Sequence, residues 1–337
     1  MQEAILYKKL KQNKVQCQVC HHFCIISPNK KGICGVRRNQ NGILYSLVYG
    51  KAISEAIDPI EKKPFFHFLP GSKALSIATI GCNFRCTNCQ NWQISQASKL
   101  QPEVLGQDLP PDQIVKDALE NDCASIAYTY TEPTIFLEYA LATMQLAKKQ
   151  GLKNVWVSNG YMSNLTLKKI SGYLDAINID LKFFDNKSYL KNCGGQLEPI
   201  LNNLQWLKNH NIHLEVTTLS IPTLSDSEKM FEQIAKFIRI KLGADTPWHL
   251  SAFSPDISYK LNDLSPTPVT TLERARQIGL DQGLRYVYLG NVAGHQAENT
   301  SCPKCGKIVI NRNGYNITRY DKQGYCPFCH EKLALIT

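Results

Sequence analysis

Cys82, Cys86 and Cys89 stand in one short loop, GCNFRCTNCQNW (81–92), at C-x3-C-x2-C spacing. Three thiolates are one too few for a closed tetrahedral metal site. They suit a cubane iron–sulfur cluster, in which three irons take one thiolate each and the fourth stays open to a chelating small molecule. A zinc ion held by three sulfurs and a water is the competing assignment, although the loop contains no histidine or carboxylate to complete it.

Two further groups have four sulfurs each. CPKC (302–305) and CPFC (326–329) form two knuckles, with the β-prone NGYNITRY (313–320) between them. Cys302, Cys305, Cys326 and Cys329 thus read as a zinc ribbon, with iron the competitor. Lys304, Lys307, Arg312, Arg319 and Lys322 make that module basic in sequence. Near the start, Cys17, Cys20, Cys24 and Cys34 make another four-sulfur site, open to zinc or to an auxiliary iron–sulfur cluster, with His21 and His22 as substitute ligands. Cys123 and Cys193 stand alone and read as packing residues, Cys193 in a loop that could face the site.

The elements that must position these groups follow from alternating patterns. Apolar β-type runs occur at 74–80, 124–130, 153–158, 176–181, 213–219, 248–252 and 285–290, with helical runs near 111–122, 133–150, 163–173, 196–209, 226–242 and 270–282. In the fifth helix Met230, Ile234, Ile238 and Leu242 recur at i+4, Ser225–Glu228 resembles a capping box, and Gly243 suits its end. Repeated strand–helix units predict an α/β fold with a parallel sheet, as a doubly wound sheet or a full or partial (β/α) barrel. Polar residues gather at strand ends: Glu132 after the second, Asn159 after the third, Asp180 and Lys182 at the fourth, with His249 on the sixth. Barrel chemistry collects at such C-terminal ends. The expected division is a four-cysteine module and linker over 1–70, a barrel over 71–297 and a ribbon over 298–337. The linker stretch DPIEKKPFFHFLPG (58–71) carries three prolines, and its phenylalanines read as docking contacts.

A C-x3-C-x2-C loop after the first strand of a β/α barrel resembles the signature of the radical SAM superfamily. YTYTEPT (128–134), SNGY (158–161), NIDLK (178–182), EVTTL (215–219), PWHLS (247–251) and YLGNV (288–292) narrow the likeness to the pyruvate formate-lyase-activating-enzyme-like branch. With both terminal cysteine groups and DPIEKKP, the chain is most similar to the radical SAM member of the AmmeMemoRadiSam system. The resemblance implies a partial barrel, a 4Fe–4S cluster on Cys82, Cys86 and Cys89, and S-adenosyl-L-methionine on the open iron. It implies reductive cleavage to a 5′-deoxyadenosyl radical that abstracts hydrogen from a substrate. Glu132 matches the glutamate of a Gly-Gly-Glu motif that seats the cofactor's amine, with Tyr130 and Thr131 in place of the glycines. Lys182 matches a lysine paired with the methionyl carboxylate, Asp180 a nearby polar or cation-binding group, and His249 a histidine near the ribose. Asn159 is counted with these cofactor-binding residues. Asn88 replaces an aromatic residue usual before the third cysteine. The plain alternatives are an ion pair for Asp180 and Lys182, which share one side of a strand, and a satisfied core histidine for His249.

The resemblance also implies an external reductant such as flavodoxin or ferredoxin, and AMMECR-like and Memo-like partner proteins. The alternatives are activation of a glycyl-radical enzyme and a non-catalytic zinc-stabilised nucleic-acid-binding or scaffold protein. Charged residues make up 20% and hydrophobic ones 43%, as in soluble globular chains, and neither a leader nor a membrane-length apolar run is present, so a cytoplasmic protein without membrane association is expected. A formal charge of +10 fits a macromolecular substrate, protein or RNA, with the basic residues spread along the chain.

Overall fold

In a computed structural model describing residues 1–100 and 103–337, the seven apolar runs become parallel neighbours in one sheet. They are β1 (Lys73–Ala78), β2 (Ser125–Tyr128), β3 (Lys153–Ser158), β4 (Ala176–Asp180), β5 (His213–Ser220), β6 (Trp248–Ala252) and β7 (Val287–Gly290), hydrogen-bonded in sequence order. Parallel neighbours need long crossovers. Helices α1 (Pro111–Glu120), α2 (Leu137–Lys149), α3 (Asn164–Ile170), α4 (Leu197–Asn209), α5 (Glu228–Phe237) and α6 (Val269–Asp281) lie in the successive connections. The ladder does not join its two ends among the described residues, so the barrel is partial.

An eighth strand spans the approach to the linker and its first two residues. Ser54–Pro59 pairs antiparallel with β1, from Ser54 opposite Ala78 to Pro59 opposite Lys73. The chain therefore reaches the N-terminal mouth of the barrel at Pro59, the second residue of the linker. There Ile60, Phe65 and Phe68 form one apolar cluster with Ala74, Ala127, Val155 and Ala176. Small strand side chains leave room, and the linker phenylalanines fill it. Each fully buried ring is worth roughly 1.5–3 kcal/mol. The docking expected for these aromatics is thus an insertion into the barrel floor.

A buried carboxylate organises that floor. Glu215 on β5 accepts from the backbone N–H groups of Phe66 and His67 at 3.0 and 2.9 Å, and from Nε2 of His213 and His249 at 3.0 and 2.6 Å. Burial alone would raise Glu215, but the hydrogen bonds from His213 and His249 hold it well below the usual carboxylate range. His67 donates from Nδ1 to Ala334 O at 2.9 Å, which leaves Nε2 to accept from the Tyr288 hydroxyl at 2.6 Å. The C-terminal module closes over this network. Arg312 stacks on Phe66 at 4.1 Å and donates to Phe66 O and Thr300 Oγ1, while Leu69 and His67 exchange backbone bonds with Ile336.

Two local expectations are corrected. The cap of α5 is Ser227, which accepts from Met230 N–H; Ser225 instead accepts from Ile221 N–H and donates to Leu219 O inside the preceding turn. Arg312 is only 4% exposed and Arg319 is paired with Asp321, so neither adds to a basic surface on the ribbon. The N-terminal module, built of short antiparallel strands, shares the main core with the barrel. Its Arg37 makes a fully buried ion pair with Glu138 of α2, which also accepts from Ile5 N–H. No helix among the described residues is long and apolar enough to cross a membrane.

Candidate functional site

β1 ends at Ala78, and the three-cysteine loop leaves from its C-terminal end, at the mouth opposite the linker. The loop is held on both flanks. On one side Arg85 and Thr87 donate their N–H groups to Cys193 O and Asn192 O at 2.8 and 2.9 Å. Gly195 there leaves space for Phe84, since a Cβ would stand 2.3 Å from its ring. On the other side Lys260 N–H and Ser258 Oγ donate to Thr87 O, and Tyr259 stacks on Trp92 at 5.2 Å. Lys99 reaches across to donate to Phe84 O at 2.6 Å.

The thiols are not set up as free nucleophiles. A hydrogen bond to Cys193 and then burial push Cys86 well up, while burial pushes up Cys82 and Cys89. Raised thiols are inert unless a cation replaces the proton. Three buried polar atoms of this loop lack a partner: Asn83 Nδ2, Thr87 Oγ1 and Asn88 Oδ1. Buried polar atoms are rarely left unpaired, so this loop is shaped around something besides its own chain.

Sulfur spacing separates the three groups. Four sulfurs at about 2.3 Å from one tetrahedral ion stand roughly 3.8 Å apart. Cys302 and Cys329 are 3.5 Å apart, Cys305 and Cys326 3.7 Å, and all four sulfurs lie within 4.8 Å of one another. Among the described residues no other His, Cys, Asp or Glu group meets that limit. Cys82, Cys86 and Cys89 are therefore spread too widely for a single ion. In a cubane each thiolate binds a different iron, and such a spread is what the donors need.

The other expected site residues divide. Asp180 and Lys182 meet at 2.8 Å at the end of β4, half-buried, with Lys182 N–H bonded to the Tyr189 hydroxyl. Burial pulls Lys182 down, but Asp180 outweighs it and Cys86 adds to the effect, so the amine stays charged beside the thiols. Asn159 donates to Asn83 Oδ1 at 2.7 Å and points the same amide at Cys82 Sγ at 3.9 Å. Glu132 is fully buried, with Oε1 accepting from Thr134 N–H, Thr134 Oγ1 and Ser158 Oγ, and Oε2 from Asn159 N–H. It therefore sets Asn159 in place, and burial raises its pKa. Tyr130, in the position of a motif glycine, takes φ +61°, and its hydroxyl is bound by Asp58. Its carbonyl accepts from Asn91 at 2.9 Å, tying this turn to the cysteine loop. His249 is not brought to the loop. Its ring is committed to Glu215 on the floor, edge-on to Phe66 at 4.8 Å.

Sequence reasoning missed Lys99, whereas Cys193, expected in a loop that could face the site, lies in the NCGG bed against the cysteine loop. Burial lowers the Lys99 amine, and the nearby sulfurs of Cys82, Cys34, Cys86 and Cys89 oppose that. Its sequence signal was weak, a lone lysine between short helical turns. The NCGG stretch (192–195), with two adjacent glycines beside a cysteine, was the better clue.

The family model for the radical SAM superfamily matches residues 76–238, which begin in β1 and include the cysteine loop. An uncharacterized protein of Methanocaldococcus jannaschii is 44% identical over 339 residues, spanning the whole of both chains. The chain belongs to the radical SAM superfamily. It is also similar to the pyruvate formate-lyase-activating enzyme of Clostridium pasteurianum, 22% identical over 195 residues, 55% of this chain and 80% of that protein. In fold it is similar to a radical SAM methyltransferase from Sphaerobacter thermophilus, with TM-score 0.50 and 13% identity over 72% of this chain and 71% of that one. Membership of the radical SAM superfamily implies a 4Fe–4S cluster and S-adenosylmethionine. The widely set thiols and unpartnered amides of the radical SAM loop fit such a group.

Proposed function

We propose that this radical SAM enzyme cleaves S-adenosyl-L-methionine reductively to give a 5′-deoxyadenosyl radical, which abstracts hydrogen from a substrate of the AmmeMemoRadiSam system. The observation that carries this is the C-x3-C-x2-C loop at the C-terminal end of β1, its sulfurs too far apart for one ion and its flank lined by a charged lysine. When bound, the cluster supplies one electron and an open iron. The chain's own residues do the rest. Cys82, Cys86 and Cys89 would hold the irons, and Lys182, paired with Asp180 at 2.8 Å, would meet the carboxylate of the cofactor. Asn159, fixed by Glu132, presents its amide beside Cys82, so Glu132 acts as a positioning residue and not as a direct contact. The C-terminal cysteines hold zinc, whose geometry their 3.5 and 3.7 Å spacings match. Electrons come from a flavodoxin- or ferredoxin-type donor.

Similarity to the Clostridium pasteurianum activating enzyme favours a second reading, hydrogen abstraction from a glycine of a partner enzyme. Anaerobically reconstituted and reduced protein should show an altered cluster electron paramagnetic resonance spectrum when S-adenosylmethionine is added; no change would remove the open iron from the account. Deuterium carried from an α-deuterated glycyl-radical enzyme into 5′-deoxyadenosine would decide for the second reading, whereas transfer dependent on AMMECR-like or Memo-like protein would decide for the first.

A further inference from the structure

Cys17, Cys20, Cys24 and Cys34 line one cavity together with Arg37 and Asn83. Three of these sulfurs belong to buried residues, and Cys24 is half-buried at the outer side. Four thiols turned onto a shared space make a built metal site, and nothing else in the module uses them. Their spacing argues against a single tetrahedral ion. No three of them lie within 4.8 Å of one another, whereas four sulfurs around one zinc ion sit roughly 3.8 Å apart, as the C-terminal group does. A cubane with a separate iron behind each thiolate spreads its donors in this way.

The cavity also borders the radical site. Asn83, in its wall, follows Cys82 directly; its carbonyl accepts from His22 Nε2 at 2.9 Å and its side chain holds Asn159. Gly81, which precedes Cys82, packs against the other group's backbone: a Cβ there would stand 2.9 Å from Cys34 O and 3.0 Å from Ser98 Oγ. Ser98 in turn donates to Cys34 O at 2.8 Å. A metal centre on one group therefore has the other as its neighbour, separated by single residues. At the outer end, beside Cys24, Ile25 and Ile33 are exposed by 65% and 53%.

We propose that Cys17, Cys20, Cys24 and Cys34 hold a second iron–sulfur cluster, through which electrons reach the cluster on Cys82, Cys86 and Cys89. The relay part rests on the function proposed above; the metal assignment does not. The donor is a low-potential one-electron carrier of the flavodoxin or ferredoxin class. It loses one electron, the second cluster gains that electron and passes it on, and the first cluster ends reduced by one, with no bond made or broken in the transfer.

The test uses the full chain with Cys82, Cys86 and Cys89 all changed to Ala, reconstituted anaerobically with iron and sulfide. It should retain about four iron and an equal amount of acid-labile sulfide per chain, the content of one cubane. Changing Cys17, Cys20, Cys24 and Cys34 together to Ala in that variant should abolish the sulfide. Zinc in place of iron, or no sulfide in the triple variant, would overturn the assignment whatever becomes of cofactor cleavage. With the central cysteines intact, changing Cys17, Cys20, Cys24 and Cys34 together to Ala should slow cofactor cleavage several-fold when reduced flavodoxin is the donor, with iron at the central site kept. An unchanged flavodoxin-driven rate would overturn the relay.

Discussion

Lys182 bears the clearest single-residue consequence. It is charged, half-buried and already paired with Asp180 at 2.8 Å, so a carboxylate entering beside the cysteine loop meets a positioned cation. A hydrogen bond to a charged group is worth about 1.5–3 kcal/mol. Lys182→Ala should therefore weaken S-adenosylmethionine binding by about ten-fold to over a hundred-fold while leaving the iron content unchanged. Anaerobic titration checks this, and unaltered affinity would leave Lys182 as the structural partner of Asp180 alone. At this scale the sequence was readable for the cysteines, because their spacing is carried by one continuous segment. It was less so for His249 and Glu132. A histidine on a strand looks the same whether it faces a cofactor or a buried carboxylate, and here Glu215, distant in sequence, decides the matter.

The elements were legible wherever the hydrophobic period was strong. The seven barrel strands and six helices fall where alternation and i+4 spacing put them, with ends shifted by a few residues. The floor was less legible, because its logic is spread over the linker, β5, β7 and the C-terminal tail. His67 shows the cost of that arrangement. Burial lowers it to about 3, so it is neutral in the folded protein at neutral pH. In the unfolded chain it takes a proton as pH falls below about 6.5, and the unfolded state then binds more protons than the native one. Its contribution is whole above that pH and declines as pH drops toward 3, by about 2 kcal/mol at pH 5. Denaturant unfolding at pH 7 and pH 5 should show that loss, and His67→Gln should flatten it while lowering stability at both. An equal pH dependence in the variant would move the titration elsewhere.

Across the whole molecule, sulfur spacing separates one compact four-cysteine group from two wider ones, and the wider two adjoin. The ribbon sits at the floor, where Arg312 and the Ile336 pairings close the mouth opposite the radical site. Its basic sequence therefore says less about a polyanionic partner than composition suggested, since Arg312 is buried and Arg319 is paired. Sequence patterns cannot convey such docking, which depends on residues more than two hundred positions apart meeting in space. The central claim is that Cys82, Cys86 and Cys89 hold a cluster that cleaves S-adenosylmethionine. Anaerobically reconstituted protein, reduced with dithionite and given S-adenosylmethionine, should release 5′-deoxyadenosine and methionine, and Ala at any one of the three cysteines should stop that release while zinc on the C-terminal group is retained. Undiminished 5′-deoxyadenosine from the variant lacking all three would contradict it.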